Sequence, residues 1–386
     1  MKKYKKEFYN KQNSFLKIRI LNKKSHNQTL NSLKKILKDK ENLINLNKYQ
    51  ISIIDNVKKD LFNTGLKDKP RFQLTPTVIS ELNLMKTKQI PKYLFHRYRY
   101  EIFPQTQNLD NYPPYLQIEP TSFCNYRCVF CFQANKDFTT KSHGYMGRMK
   151  LELFKKIIDQ AQNNIEFISL ASRGEPLVSP VIVKMLEYTR GKFLNLKINT
   201  NASVLTEKKC HAILKSGVTT IVFSADAADA ELYKKLRVNG KLEKVVRNIK
   251  MFKQIREKHY SKSKIITRIS GVKVSDQQNF EDMENFWADF VDQVAFVDYC
   301  EWENVYQMKL NKITDPCSEL WRRMYVWWDG KANPCEVDYR SDLSNGDIKN
   351  KNLSELWKST KYQSLREKHI SLSRKKINPC NRCTVI

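Results

Sequence analysis

The sequence predicts an α/β fold: an open, partial (β/α)6 barrel, preceded by a mostly helical, basic extension and followed by a small cysteine-bearing domain. Three observations lead there. Between residues 115 and 300, short β-rich runs alternate with helical stretches over short connections, the pattern of parallel strands joined by right-handed crossovers. Of nine cysteines, three follow the first strand closely and four lie beyond residue 315. The net charge is +29, and residues 1–100 hold 24 basic against 7 acidic residues, so much of the excess precedes the first strand.

The extension, residues 1–110, opens on MKKYKKEFYNKQ, a basic start with no apolar run behind it and hence no secretory signal. Residues 28–48 and 76–89 read as weakly amphipathic helices, followed by YLFHRYRYEIFPQ and the turn-rich NLDNYPPY. Tyr98, Arg99 and Tyr100 read as a half-buried strand or helix face in preference to a platform that stacks bases. Lys far outnumbers Arg and is the weaker choice for bidentate phosphate or base contacts, so the charge reads as a Lys-rich bias and nucleic acid is not expected as a partner. Apolar residues make up 41% of the chain, enough for a substantial core. No stretch approaches the 18 apolar residues of a membrane span.

The six strands fall at 115–119, 165–170, 194–199, 218–224, 265–274 and 293–299. The helices between them fall near 150–163, 177–190, 206–216, 241–259 and 276–290. Six repeats are too few to close an eight-stranded barrel, and chemistry in such folds gathers at the C-terminal ends of the strands. The barrel is placed at 111–305 and the last domain at 306–386. There, Trp327-Trp328-Asp329-Gly330-Lys331 reads as a tight hairpin turn. Residues 353–369 read as a helix whose Leu353, Leu356, Trp357 and Leu365 are core.

An odd number of cysteines without an export signal indicates reduced thiols and a cytoplasmic setting. Cys124, Cys128 and Cys131 form C-x3-C-x2-C directly after the first strand, a triplet that chance places in about one such chain in 200. Three close thiolates suit a soft metal or an iron–sulfur cluster; a cubane needs four ligands, so one iron is left open. A zinc knuckle needs a fourth ligand nearby, and His143 lies at no usual knuckle distance beyond Cys131.

With Phe130 before its last cysteine, the triplet resembles the signature of the radical S-adenosylmethionine (SAM) enzymes. That resemblance implies SAM chelated at the open iron and further SAM contacts at the later strand ends. SRGEP (Ser172 to Pro176) is similar to the family's GGEP-type motif, with Arg173 in place of its first glycine; Gly174 supplies backbone and Glu175 takes the SAM amino group. Asn199, Thr200 and Asn201 stand where relatives contact ribose or SAM. Ser224, with Asp226 as a second candidate, matches a polar SAM contact, and Arg237 resembles an arginine that pairs with the SAM carboxylate.

Cys317, twelve residues, Gly330, four residues and Cys335 resemble the opening of a SPASM/twitch-type auxiliary domain, which Cys380 and Cys383 complete. This implies one auxiliary [4Fe–4S] cluster beside the SAM-binding one. From spacing alone, a four-cysteine zinc site stays open. The function implied is a radical SAM enzyme that oxidises or epimerises a carbohydrate-like small molecule, fed electrons by a flavodoxin- or ferredoxin-type reductant. A peptide-modifying maturase is the first alternative; a non-catalytic iron–sulfur or zinc protein that binds nucleic acid is the alternative of another class. Glu336, directly after Cys335, is the candidate proton acceptor, and Asp338 the second. Cys300 ends the last strand and reads either as the hydrogen donor of an epimerase or as a thiol packed between barrel and auxiliary domain. Cys210 reads as a buried core thiol.

Overall fold

The computed structural model describes residues 23–63 and 70–386; the basic start of the chain lies outside the described residues. Eleven strands follow in order: β1 (Tyr115–Ile118), β2 (Arg127–Cys128), β3 (Phe167–Leu170), β4 (Asn195–Thr200), β5 (Val218–Ser224), β6 (Arg237–Val238), β7 (Ile266–Lys273), β8 (Gln293–Asp298), β9 (Arg323–Val326), β10 (Lys331–Asn333) and β11 (Gly346–Asp347). Nine of them form one sheet in the order β11-β10-β9-β1-β3-β4-β5-β7-β8, and β2 pairs with β6 apart from it. The six strands expected from sequence are β1, β3, β4, β5, β7 and β8, parallel throughout.

Side chains alternate across each strand, and this sorts the barrel into two faces. Leu116, Ile118, Ile168, Leu170, Leu196, Ile198, Ile221, Phe223 and Ile269 share the largest core with Phe154, Ile157, Met185, Leu186, Ile213 and Phe252 of the surrounding helices. The residues between them therefore face the lumen. Register sets Gln117, Ser169, Lys197 and Thr220 level with one another, and Asn199, Val222, Arg268 and Gln293 form the next row. The outer face is apolar, and the inner face is mostly polar, with Val222 and Ile266 among its polar side chains.

The expected hairpin is present, with Gly330 at φ +95, a value at which glycine alone is unstrained. Its first strand does more than the sequence suggested. β9 pairs in parallel with β1, setting Tyr325 against Gln117, so the C-terminal segment extends the barrel sheet beyond its first strand. The helix expected at 353–369 is two, Leu353–Trp357 and Thr360–Ile370, with Ser359 capping the second through Tyr362 N–H at 3.3 Å.

The extension forms α1 (Lys23–Ile36), α2 (Lys48–Phe62), α3 (Pro76–Leu82) and α4 (Ile90–Thr106). The single helix expected over 28–48 is interrupted at Asp39, whose carboxylate takes Glu41 N–H at 2.9 Å to start a short 3-10 turn. α2 then begins at Lys48, its N-cap Asn47 joined to Gln50 in a reciprocal capping box; the sequence reading missed it. These helices build a second core that ends on Tyr115 and Phe167 at the N-terminal ends of β1 and β3, and His96 stacks on Phe167 with ring centroids 3.6 Å apart. The extension thus closes the barrel mouth opposite the cysteine triplet.

Tyr98, Arg99 and Tyr100 lie on α4. Arg99 joins Glu166 at 2.8 Å and Asp110 at 2.5 Å, with the Arg99 and Glu166 side chains each 2% exposed. Removing one member of a buried pair leaves the other charge without compensation, at a cost of roughly 3–5 kcal/mol. Arg99→Met is therefore expected to lower the unfolding free energy extrapolated from urea denaturation by that margin, and an unchanged value would show that the extension is not clamped to the barrel here.

Candidate active site

β1 ends at Ile118, and the chain then turns into the triplet loop. Ser122 and Gly147 lock its start: Gly147 N–H donates to Ser122 Oγ at 2.7 Å, and Ser122 N–H to Gly147 O at 3.0 Å. Gln133 Nε2 closes its far end by donating to Ser122 O at 2.7 Å and Arg173 O at 2.6 Å. Within the loop, Arg127 Nη1 donates to Cys124 O at 2.9 Å and Tyr126 O at 2.8 Å. The β2–β6 pairing sets Cys128 opposite Arg237. The sulfurs consequently meet N–H groups: Tyr126 N–H lies 3.4 Å and Asn201 Nδ2 3.9 Å from Cys124 Sγ, and Arg237 Nη1 lies 3.8 Å from Cys128 Sγ.

The SRGEP segment packs directly on this loop. A Cβ on Gly174 would stand 2.6 Å from Phe123 O and closer still to Thr121 O, so only glycine permits the approach. Arg173, the departure from the family motif, is an anchor. Its Nε and Nη2 bind the two oxygens of Glu119 at 2.8 and 2.6 Å, and its Nη1 donates to Tyr339 O at 2.8 Å. Ser172 before it takes φ +148, a region that is largely glycine's own and is held here by the fixed residues that follow.

Glu175 is buried, and three donors meet it: Leu177 N–H at 3.0 Å and Thr200 Oγ1 at 2.7 Å on Oε1, and Asn201 N–H at 2.7 Å on Oε2. It therefore couples the SRGEP loop to the end of β4. Asn199 faces the lumen with Oδ1 buried and without a partner. Asn201 bridges to Asn125 Oδ1 at 3.1 Å. Ser224 ends β5 on the inner face. Asp226 and Arg237 form a buried ion pair at 2.6 Å, so the Arg237 charge is already balanced beside the triplet. His143 bonds to Asp137 O at 2.8 Å.

The C-terminal cysteines converge as expected. Cys317, Cys335, Cys380 and Cys383 line one cavity of ≈ 30 Å³, with Glu336, His369 and Arg374 among its other walls. Arg374 shapes it by donating to the carbonyls of Cys380 at 3.1 Å, Cys383 at 2.6 Å and Val385 at 2.8 Å. Val385 N–H lies 3.4 Å from Cys383 Sγ. Cys131 of the triplet and Cys317, Cys335 and Cys383 all pack on one apolar layer that includes Phe132, Phe138 and Tyr339, so the two sets share a wall.

Both sets fit iron–sulfur clusters. Burial pushes the Cys124 thiol up to about 12, with the Glu175 charge adding to it, and pushes Cys317 up to about 11. Coordination to a metal supplies the ionisation that burial opposes, and N–H groups aimed at sulfur favour the thiolate. Among the described residues, no three His, Cys, Asp or Glu side chains close around a point where one metal ion would sit; cluster thiolates stand farther apart because the cluster lies between them.

Glu336 lies where the two regions meet. It lines the four-cysteine cavity and accepts from Gln117 Nε2, on the inner face of β1, at 3.2 Å. Asp338 is buried and engaged by Tyr306 OH, Asp342 N–H at 3.0 Å and Leu343 N–H at 2.8 Å. Cys300 Sγ is 3.0 Å from Thr384 Oγ1 in the shared apolar layer, and Cys210 is buried in the main core.

A radical SAM superfamily model matches residues 118–286, and a SPASM iron–sulfur cluster-binding domain model matches residues 317–384. The chain carries a radical SAM domain followed by a SPASM domain. Its cofactors are therefore SAM, with the cluster that binds it, and an auxiliary iron–sulfur cluster. The chain is 32% identical over 114 residues to the tungsten-containing aldehyde ferredoxin oxidoreductase cofactor-modifying protein of Pyrococcus furiosus, a match covering 29% of this chain and 30% of that protein. It is 26% identical over 196 residues to the GTP 3′,8-cyclase of Desulforamulus reducens, covering 49% of this chain and 57% of that one. It thus spans little more than half the length of these relatives at most. In fold it is similar to Streptococcus suis SuiB bound to precursor peptide SuiA, with a TM-score of 0.53 and 16% identity over 87% of this chain and 82% of that one. No helix among the described residues is long and apolar enough to cross a membrane.

The sequence reading missed Glu119 and Gln133, which hold the radical SAM loop in place. A lone carboxylate closing an apolar strand run was the available signal for Glu119. Gly174→Ala is expected to displace the loop, so that anaerobically reconstituted protein holds about four irons where the native chain holds about eight. Native iron content in this variant would show that the close approach is not required. Conversely, Cys380→Ala with Cys383→Ala is expected to remove the auxiliary iron; zinc bound at that site in native, anaerobically purified protein would contradict the cluster assignment.

Proposed function

We propose that this radical SAM enzyme oxidises a carbohydrate-like small molecule, taking a hydrogen atom from a hydroxyl-bearing carbon, the proton from its hydroxyl and one further electron, to leave a carbonyl. In that reading Cys124, Cys128 and Cys131 hold the SAM-binding cluster, and Phe130, Gly174, Glu175, Asn199, Asn201, Ser224 and Arg237 surround SAM. Cys317, Cys335, Cys380 and Cys383 hold the auxiliary [4Fe–4S] cluster. The bound cofactors supply a 5′-deoxyadenosyl radical to take a hydrogen atom and an auxiliary centre to accept an electron. The protein's own tasks are to seat the substrate, exclude water and take the proton.

The observation that carries this reading is the position of Glu336, bonded to Gln117 on the lumen face and lining the four-cysteine cavity. A base there receives the substrate proton at its carboxylate beside the electron acceptor, and loss of that proton makes the substrate radical a stronger reductant. Gln117 positions the acceptor. Asp338, with both oxygens already engaged, holds the turn after Cys335 in this scheme and is not the base. Lumen-facing Gln117, Ser169, Asn199 and Thr220 suit hydroxyl groups. The floor formed by the extension favours a compact substrate over a threaded peptide, in line with a relative whose name gives GTP as its substrate.

Glu336→Gln is expected to lower product formation by roughly 10²–10⁴-fold, the usual contribution of a positioned base, while SAM consumed per product rises. Unchanged turnover would remove Glu336 from the mechanism. The oxidised product carries no solvent deuterium; one deuterium per product, lost in Cys300→Ala, would instead assign epimerisation with Cys300 as the hydrogen donor.

A further inference from the structure

Among the described residues, two cations on the inner face of the barrel make no ion pair with a carboxylate, although Glu81 acts on both and Glu336 on the first at longer range. Lys197 on β4 and Arg268 on β7 both face the lumen by strand alternation, on adjacent rows: Lys197 is level with Thr220, and Arg268 with Val222 and Asn199. Arg268 is 6% exposed. Its Nε donates to Gln293 Oε1 at 2.8 Å, and its Nη2 is buried with no partner. Lys197 makes no side-chain hydrogen bond or ion pair among the described residues. A third lumen cation, Arg323, is already occupied by Tyr100 OH and lies 4.0 Å from Glu319.

An isolated buried charge is costly, and cations at such depth are normally paired. Lys197 partly escapes that cost: burial, with Arg268 and Arg323 adding to it, holds its ammonium down to about 7, against the weaker opposing pull of Glu81 and Glu336. Arginine has no such route, because it stays charged. An arginine held with an open N–H beside a lysine is suited to a carboxylate or phosphate oxygen, which charge-assisted bonds from both would grip. Four residues of extended strand separate Lys197 from Asn201 at the triplet, roughly 13 Å at about 3.3 Å per residue. A group bound at Lys197 and Arg268 would anchor one end of a small molecule and leave its other end near the strand termini.

We propose that Lys197 and Arg268 form the anion-binding end of the substrate pocket, and that the substrate bears a carboxylate or phosphate group in addition to its hydroxyls. This deepens, and rests on, the small-molecule reading above.

The test titrates reconstituted full-length protein with inorganic pyrophosphate, succinate and glycerol, following heat of binding and melting temperature. Native protein is expected to bind one of the two anions saturably and to melt higher with it, and to ignore glycerol; the preferred anion tells phosphate from carboxylate. Lys197→Met and Arg268→Gln should each weaken binding by about tenfold or more, equivalent to about 1.4 kcal/mol. Lys197→Arg, which keeps the charge, should restore most of it and serves if the other variants fold poorly. Equal affinity in the charge-removing variants would place the anion on the basic surface and overturn the proposal. So would native protein that cleaves SAM and binds neither anion. Absent SAM cleavage with intact, Lys197-dependent anion binding would refute the enzymatic reading and leave the anion site standing.

Discussion

The buried pair between Glu119 and Arg173 is the constraint on which the rest of the site depends. A buried ion pair offsets its desolvation only when the remaining donors and acceptors are also satisfied. Here both Glu119 oxygens meet the guanidinium, Oε2 also receives Trp328 N–H at 3.2 Å, and Arg173 Nη1 reaches Tyr339 O. The guanidinium also lies 4.3 Å from the Trp327 ring. One charge pair thereby joins the end of β1, the SRGEP loop and two places in the SPASM segment. Each of these segments carries or borders a cysteine set, so the pair fixes the two sets relative to each other.

This explains why the boundary between the two regions is chemically dense. β9 continues the barrel sheet past β1, Glu336 lies against Gln117, and Cys131, Cys317, Cys335 and Cys383 pack on the apolar layer around Phe132 and Tyr339. Glu336 thereby borders both the lumen and the four-cysteine cavity. The helical extension packs on the barrel from below, its core ending on Tyr115 and Phe167 at the start of β1 and β3.

Much of this was legible in the sequence, for physical reasons. Buried parallel strands read as short apolar runs between helices, so all six were found. The cysteine triplet was found because its spacing is improbable by chance, and the C-terminal set because its spacing around Gly330 resembles a known auxiliary domain. Most of what escaped depended on contacts distant in sequence. Arg173 looked like a departure from a glycine motif because its partner, Glu119, lies more than fifty residues away. The parallel pairing of β9 with β1 leaves no local trace, since a hairpin reads the same wherever it docks. α2 was missed because its Asn47–Gln50 capping box was overlooked and its apolar stripe is interrupted by lysines. Lys197 and Arg268 were invisible in a chain so rich in basic residues, because only strand register shows that they point inward. Arg237 was legible by resemblance, but its pairing with Asp226 was not.

The central claim is that two cysteine sets joined by one buried ion pair hold two distinct clusters, of which one alone binds SAM. Electron paramagnetic resonance of the reduced, reconstituted protein with and without SAM tests it most directly. Two cluster signals are predicted, with SAM shifting one and leaving the other unchanged. A single signal, or two that both shift with SAM, would contradict the account.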